Sequence, residues 1–401
     1  QVSPSSGLEL VTVIPSSPIS VARGASVQVT IQARIKAGTL ESVDLEQLSV
    51  IAQSVSTPQP VAQNQIDMVT VLGSAVPALR VSPSSSGPVQ PGSTVRLTYT
   101  LRNDGNKTGS FGALAVNLPG VPAGWTSTFV DPADCGALAA VASCAINVDI
   151  LLPAKAYAGD NGVSASVGSA SVTAVIKVAA VPGVLLDAGQ QGSVEPSATI
   201  SYTHTLTNTG NVTDTFTLTN QATAGWLGVV TPASLSNVPP GESRQISLAV
   251  TAPAFILAGS IGDVTLSAKS GLDANVSASV TDKTSILAVT RASLIPDAQT
   301  TNALAGQVVS FTPTLRNTGS TAVAYDLSVE TASWTSIVTP TTTAILQPGQ
   351  ELALNLTVKV PVDTPIGDLN LTTLRVQERG TTLLLTTGTV SYTHLTLPTN
   401  R

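Results

Sequence analysis

The chain has 401 residues, a formal charge of −6, and a composition in which 10% of residues are charged and 3% aromatic. That length exceeds what one hydrophobic core commonly serves, and a hydrophobic content of 42% excludes a largely disordered chain. No basic run could neutralise a phosphate backbone, so nucleic acid is not an expected partner, and no stretch of 18 or more uninterrupted apolar residues offers a transmembrane helix.

Ala, Val, Leu, Thr, Ser and Gly dominate, with 26 Pro and 31 Gly as punctuation, which is a strand-and-turn vocabulary. Reading from Gln1, the chain opens in strand-like sequence with no initiator Met or signal peptide, so export has to be argued from other features. Residues 1–76 align with the later half of a unit that recurs downstream, Gly24 standing where Gly241 stands and Gly38 where Gly259 stands. The first strands of that unit are missing, which leaves an open edge in residues 1–76. Two accounts stand: a fragment of a longer array, or an edge completed by a strand from a neighbouring subunit.

The unit appears in full at residues 77–181, 182–288 and 289–390. Each begins with an alternating strand and an Asn-x-Gly corner: GSTVRLTYTLRNDGNKTGSF, PSATISYTHTLTNTGNVTDTF and GQVVSFTPTLRNTGSTAVAYDL. Alternation assigns Val95, Leu97, Tyr99 and Leu101 to one core face, with Ile200, Tyr202, His204 and Leu206 as counterparts, the register at His204 being the less certain. The corners at Asn103 and Gly105, Asn208 and Gly210, and Asn317 and Gly319 are read as tight turns, because Asn and Gly tolerate positive φ. Trp125, Trp226 and Trp334 recur at one slot, each followed by Pro132, Pro232 or Pro340, and are read as plugs between two sheets. The turns at Gly241 and Gly349 open a further strand, and Gly159, Gly259 and Gly367 introduce the last pair. A unit of about 100 residues with about seven short alternating strands has the size and pattern of an immunoglobulin-like sandwich. The expected fold class is therefore all-β, as tandem sandwiches in an extended array. The short, partly apolar junctions SAVPALRVSP, AAVPGVLLDAG and ILAVTRASLIP are expected to restrict the angles between neighbours.

Cys135 and Cys144 are the chain's two cysteines. An even pair around one short loop reads as a local disulfide of an oxidising, extracellular compartment, against the alternative of two reduced buried thiols. Residues 391–401 read SYTHLTLPTNR, which resembles a translated sequencing adapter; the echo of SYTHTLTNTG at Ser201 offers the start of another strand instead. Both histidines, His204 and His394, lie in these SYTH stretches.

Chemistry is thin. There is no HExxH, P-loop, nucleophile elbow or CxxC pair, so no catalytic residue, cofactor or metal is assigned. Asp160, Asp263 and Asp368 follow the recurrent glycines and are read as strand ends, and Asp160 with Asn161 falls short of the six to eight oxygens a calcium site needs. Sequons stand at Asn106, Asn211, Asn275, Asn355 and Asn370.

The runs TLRNDGNKTGSF and TLTNTGNVTDTFTLT, with PPGES and QPGQE ahead of the later strand, resemble the Ig-like conserved repeats found in tandem in bacterial and archaeal surface proteins. The resemblance covers roughly residues 78–390. It implies an extracellular structural role, as a cell-surface, S-layer, filament or adhesive-stalk component, with self-association through strand edges or neighbouring copies. Similar domains also ride as accessory, sometimes carbohydrate-binding, modules on secreted hydrolases, and that reading stays open.

Overall fold

The computed structural model describes residues 2–36, 39, 46–53, 62–69, 72–331, 333–365 and 367–394. Among these residues the regular structure is all strand, with no helix. The chain divides into two compact units, Gln1–Val181 and Pro182–Arg401.

In the first unit, strands Leu8–Ile14 and Thr30–Ile35 pair with each other, and Val2–Pro4, Glu46–Gln53 and Ala62–Val69 form a second small sheet. The sandwich that follows faces one sheet, ordered Thr126–Phe129, Ser143–Leu151, Thr94–Asn103, Pro77–Ser82, against another of Ala170–Val178, Gly159–Val167 and Ala115–Asn117. The alternation of Thr94–Asn103 sends Val95, Leu97, Tyr99 and Leu101 inward, where they meet Ile146, Val148 and Ile150 of the neighbouring strand and Val163, Ala165 and Ile176 of the opposite sheet.

The second unit holds two further sandwiches. One sheet of the first is ordered Val184–Leu186, Thr199–Asn208, Ser243–Thr251, Leu227–Thr231. The facing sheet has five strands, and at its edge Gln191–Val194 runs parallel to Ser277–Ile286. The next sandwich repeats that parallel pairing with Ala298–Ala303 against Leu384–His394. Each of these sandwiches has its own core, one around Trp226 and the other around Trp334.

Two sequence expectations change. The Asn-x-Gly corners do not use positive φ: none of Asn103, Gly105, Asn208, Gly210, Asn317 or Gly319 adopts it. The boundary at residue 391 also moves, because Ser391 to His394 complete the last strand. Tyr392 is fully buried there and meets Phe311 edge-on, with ring centroids 5.0 Å apart. A hydrophobic ring at a core-facing register position is drawn in whatever its origin; its buried hydroxyl finds no partner among the described residues. The rest of the tail, residues 395–401, lies outside the described residues, as does Gly38.

Positive φ is used one turn later. Gly241 and Gly349 sit at φ 77° and 80°, where their N–H groups donate to the carbonyls of Asn208 and Asn317. In the first complete sandwich the same bond, to Asn103, comes from Val141, at φ 59°. A β-branched residue in the left-handed region costs about 1–2 kcal/mol, and Val141 is 55% exposed, so packing offers little in return. Val141→Gly is therefore expected to stabilise this sandwich by about 0.5–1 kcal/mol after the extra backbone entropy of glycine is subtracted. A rise in its urea midpoint at unchanged slope checks this.

Candidate functional site

The recurrent residues are consumed by the fold. Trp125, Trp226 and Trp334 are at most 7% exposed and lie in the three cores, so they offer no sugar-stacking face.

Asn103, Asn208 and Asn317 are fully buried. In each, Oδ1 accepts the N–H of the glycine two residues on, at 3.0, 2.9 and 3.0 Å. Each Nδ2 donates to the carbonyl four residues on, from Lys107, Val212 or Thr321. It donates as well to a carbonyl of the strand or turn ahead of the left-handed residue, from Leu138, Val238 or Leu346. The asparagine thus ties three chain segments together at the end of its sandwich. Glycine follows because the incoming linker passes close by: a Cβ on Gly105 would lie 2.0 Å from the Ser74 carbonyl oxygen, and one on Gly319 2.3 Å from that of Val289.

Cys135 and Cys144 are bonded. The bridge closes around the turn that carries Val141, where the sister repeats have Pro239-Pro240-Gly241 and Gln347-Pro348-Gly349.

One cluster is chemically distinctive. His204 is fully buried, with Nδ1 2.7 Å from Oδ1 of Asp187 and Nε2 2.8 Å from Oδ2 of the fully buried Asp282. The second oxygen of each carboxylate is also engaged, accepting from the Thr205 N–H and the Gln190 N–H. Asp187 directly follows the edge strand Val184–Leu186 of the sheet that carries His204, and Asp282 belongs to the other sheet, so the trio spans the sandwich. Burial alone drives the ring toward its neutral form, but the hydrogen bonds and charges of Asp282 and Asp187 outweigh it and hold the histidine above its ordinary pKa. With both nitrogens occupied and no exposure, the ring has no atom free to serve as a general base, which requires reach to a substrate proton. In the sister sandwiches the equivalent slots hold Tyr99 with Ala174, and Pro313 with Val390. The latter pair lines a cavity of about 10 Å³, room for about one water molecule.

The second unit also contains a joint between its sandwiches. The guanidinium of Arg316 lies 4.1 Å from the ring centroid of Phe255, and Gly349 lies so close that a Cβ there would come within 2.7 Å of that ring. Arg291 pairs with Glu195 at 2.8 Å. The buried Ser320 accepts from Ala258 N–H through its carbonyl and donates its hydroxyl to the Leu287 carbonyl.

Among the described residues no group of three or more His, Cys, Asp or Glu is placed to hold a metal ion. The Asn161 amide donates to the carbonyls of Tyr157 and Gly159, and Asp263 receives Lys283. Of the sequons, Asn211 and Asn370 are buried, whereas Asn275 and Asn355 are exposed.

The fold defines an all-β protein of immunoglobulin-like sandwich repeats. Residues 89–170 match the family model described as the NPCBM-associated, NEW3 domain of alpha-galactosidase. No curated protein matches the chain in sequence. Among solved structures, it is similar to extracellular cadherin domains 3–6 of protocadherin gamma B2, at 13% identity over 92% of this chain and 87% of that one, with a TM-score of 0.38. It is also similar to titin domains I67–I69, at 11% identity over 80% and 99%, TM-score 0.29, and to Drosophila N-cadherin domains EC1–4, at 9% over 92% and 88%, TM-score 0.26.

Proposed function

We propose that the chain is a non-catalytic repeat array of an exported protein, serving as a spacer that sets the distance and orientation of whatever it carries. The observation that supports this most is the joint in the second unit, where Phe255 of one sandwich is held between Arg316 and Gly349 of the next. A tether that only had to link would need no such fit, since flexible linkers do so without contacts. The Cys135–Cys144 bond favours an oxidising, extracellular setting. Within this reading, a cell-surface, S-layer or filament component that associates with its own kind through strand edges is the finer form.

A second reading, the accessory region of a secreted carbohydrate-active enzyme, is favoured by the match of residues 89–170 to a domain described from alpha-galactosidase. Spin labels on the two sandwiches of the second unit test the spacer: pulsed dipolar spectroscopy on the full chain is expected to give one narrow distance distribution, broadened by Phe255→Ala without loss of folded signal. A broad distribution in the parent chain contradicts the spacer. Saturable binding of galactose-containing polysaccharides by the same protein would turn the assignment to the accessory reading.

A further inference from the structure

The Asp187, His204 and Asp282 contacts impose a proton count. Two short N···O contacts need two hydrogens between them, because an ionised carboxylate only accepts and a neutral imidazole donates once. Either an imidazolium lies between two carboxylates, or a neutral ring lies beside one protonated acid; both states hold the same number of protons and the same net charge. Removing one proton leaves a ring lone pair facing a carboxylate oxygen at 2.7 or 2.8 Å, with Asp282 and the ring sealed from water.

We infer that the sandwich of residues 182–288 is locked by this shared proton, which ties its two sheets together, and that alkaline conditions loosen it while the sandwich of residues 77–181 is unaffected. Among the described residues, the surrounding elements supply no compensating cation. The two carboxylates are the charges that act on the ring. Strand Ser243–Thr251 places Ile246 opposite it, and Tyr202 on its own strand shares a hydrogen bond with Thr284. Lys283, beside Asp282, turns to Asp263 on the exposed face. Arg244 goes to Glu242.

The sign follows from linkage. The folded histidine holds its proton more tightly than an unfolded one, whose pKa is about 6.5, so the stabilisation is complete below that pH. It declines as pH rises toward the folded value and is lost once that value is passed. One proton corresponds to as much as a tenfold rise in the opening constant per pH unit within that window. The sandwich of residues 77–181 contains no histidine and is the internal control.

The test is hydrogen exchange of the full chain, read peptide by peptide by mass spectrometry from pH 6 to 9.5 and corrected for intrinsic rates. The opening constant for strands Thr199–Asn208 and Ser277–Ile286 is expected to climb with pH while that for Thr94–Asn103 stays level. In Asp282→Asn the amide can donate to a neutral ring, so the climb should vanish. The pair His204→Tyr with Asp282→Ala, which installs the residues of the sister slot, should abolish it as well in a folded chain. A level profile in the parent protein overturns the inference, as does an equal climb in both sandwiches or a climb that survives Asp282→Asn.

Discussion

Asn208→Asp is expected to remove at least about 3 kcal/mol from its sandwich, although it changes one terminal atom group. The carboxylate keeps the bond from the Gly210 N–H but cannot donate, so the Val212 and Val238 carbonyls lose their partner and face a buried oxygen instead. Each unsatisfied buried group costs about 1–3 kcal/mol, and an uncompensated buried charge adds to it. Asn208→Ala should cost somewhat less, because it strands the same groups without adding charge. Chemical denaturation at neutral pH, followed by Trp226 emission in a background with Trp125→Phe and Trp334→Phe, measures both; the Asp variant should recover part of its loss in acid, where the carboxyl becomes neutral and can donate once. Equal stabilities for the three proteins would mean that the corner is an ordinary turn.

Trp226→Ala is expected to cost about 3–5 kcal/mol, the range for deleting a large buried aromatic. The indole lies flat on Gly262, where a Cβ would stand 2.2 Å from two of its ring atoms. Gly262→Ala alone should therefore destabilise by about 1–3 kcal/mol through overpacking. The two changes share one contact, so they should not add: Gly262→Ala in a Trp226→Ala background should cost close to nothing, since the methyl then enters vacated space. A double-mutant cycle with no coupling would show that the ring does not rest on this glycine.

Much of the fold was legible before any coordinates. Strict alternation in Thr94–Asn103 and the recurrence of Trp at one slot are local, periodic signals, and the buried sets follow them residue by residue. The Asn-x-Gly corners were visible as a motif, but their cause was misread. A buried amide serving three segments is a tertiary fact, and it uses the same letters as a tight turn. Val141 at the glycine slot was hidden because it breaks the identity that made the slot recognisable, and only its φ reveals it. The acidic partners of His204 lie 17 and 78 residues away, with no periodic mark. His204 could be placed in the core face, yet what it meets there depends on how two sheets stack. The end of the last strand was missed for a related reason, since Tyr392 is recruited by register and not by resemblance to the repeat.

The claim beneath all of this is that the recurrent residues are structural hubs and not parts of a binding or reacting surface. Amide exchange at Gly105, Gly210 and Gly319, whose N–H groups are held by the buried asparagines, tests it most directly. Each of these amides should exchange at the rate of its own sandwich core and keep that rate when sugars or divalent cations are added. Exchange at loop rates, or selective protection by an added ligand, would contradict the account.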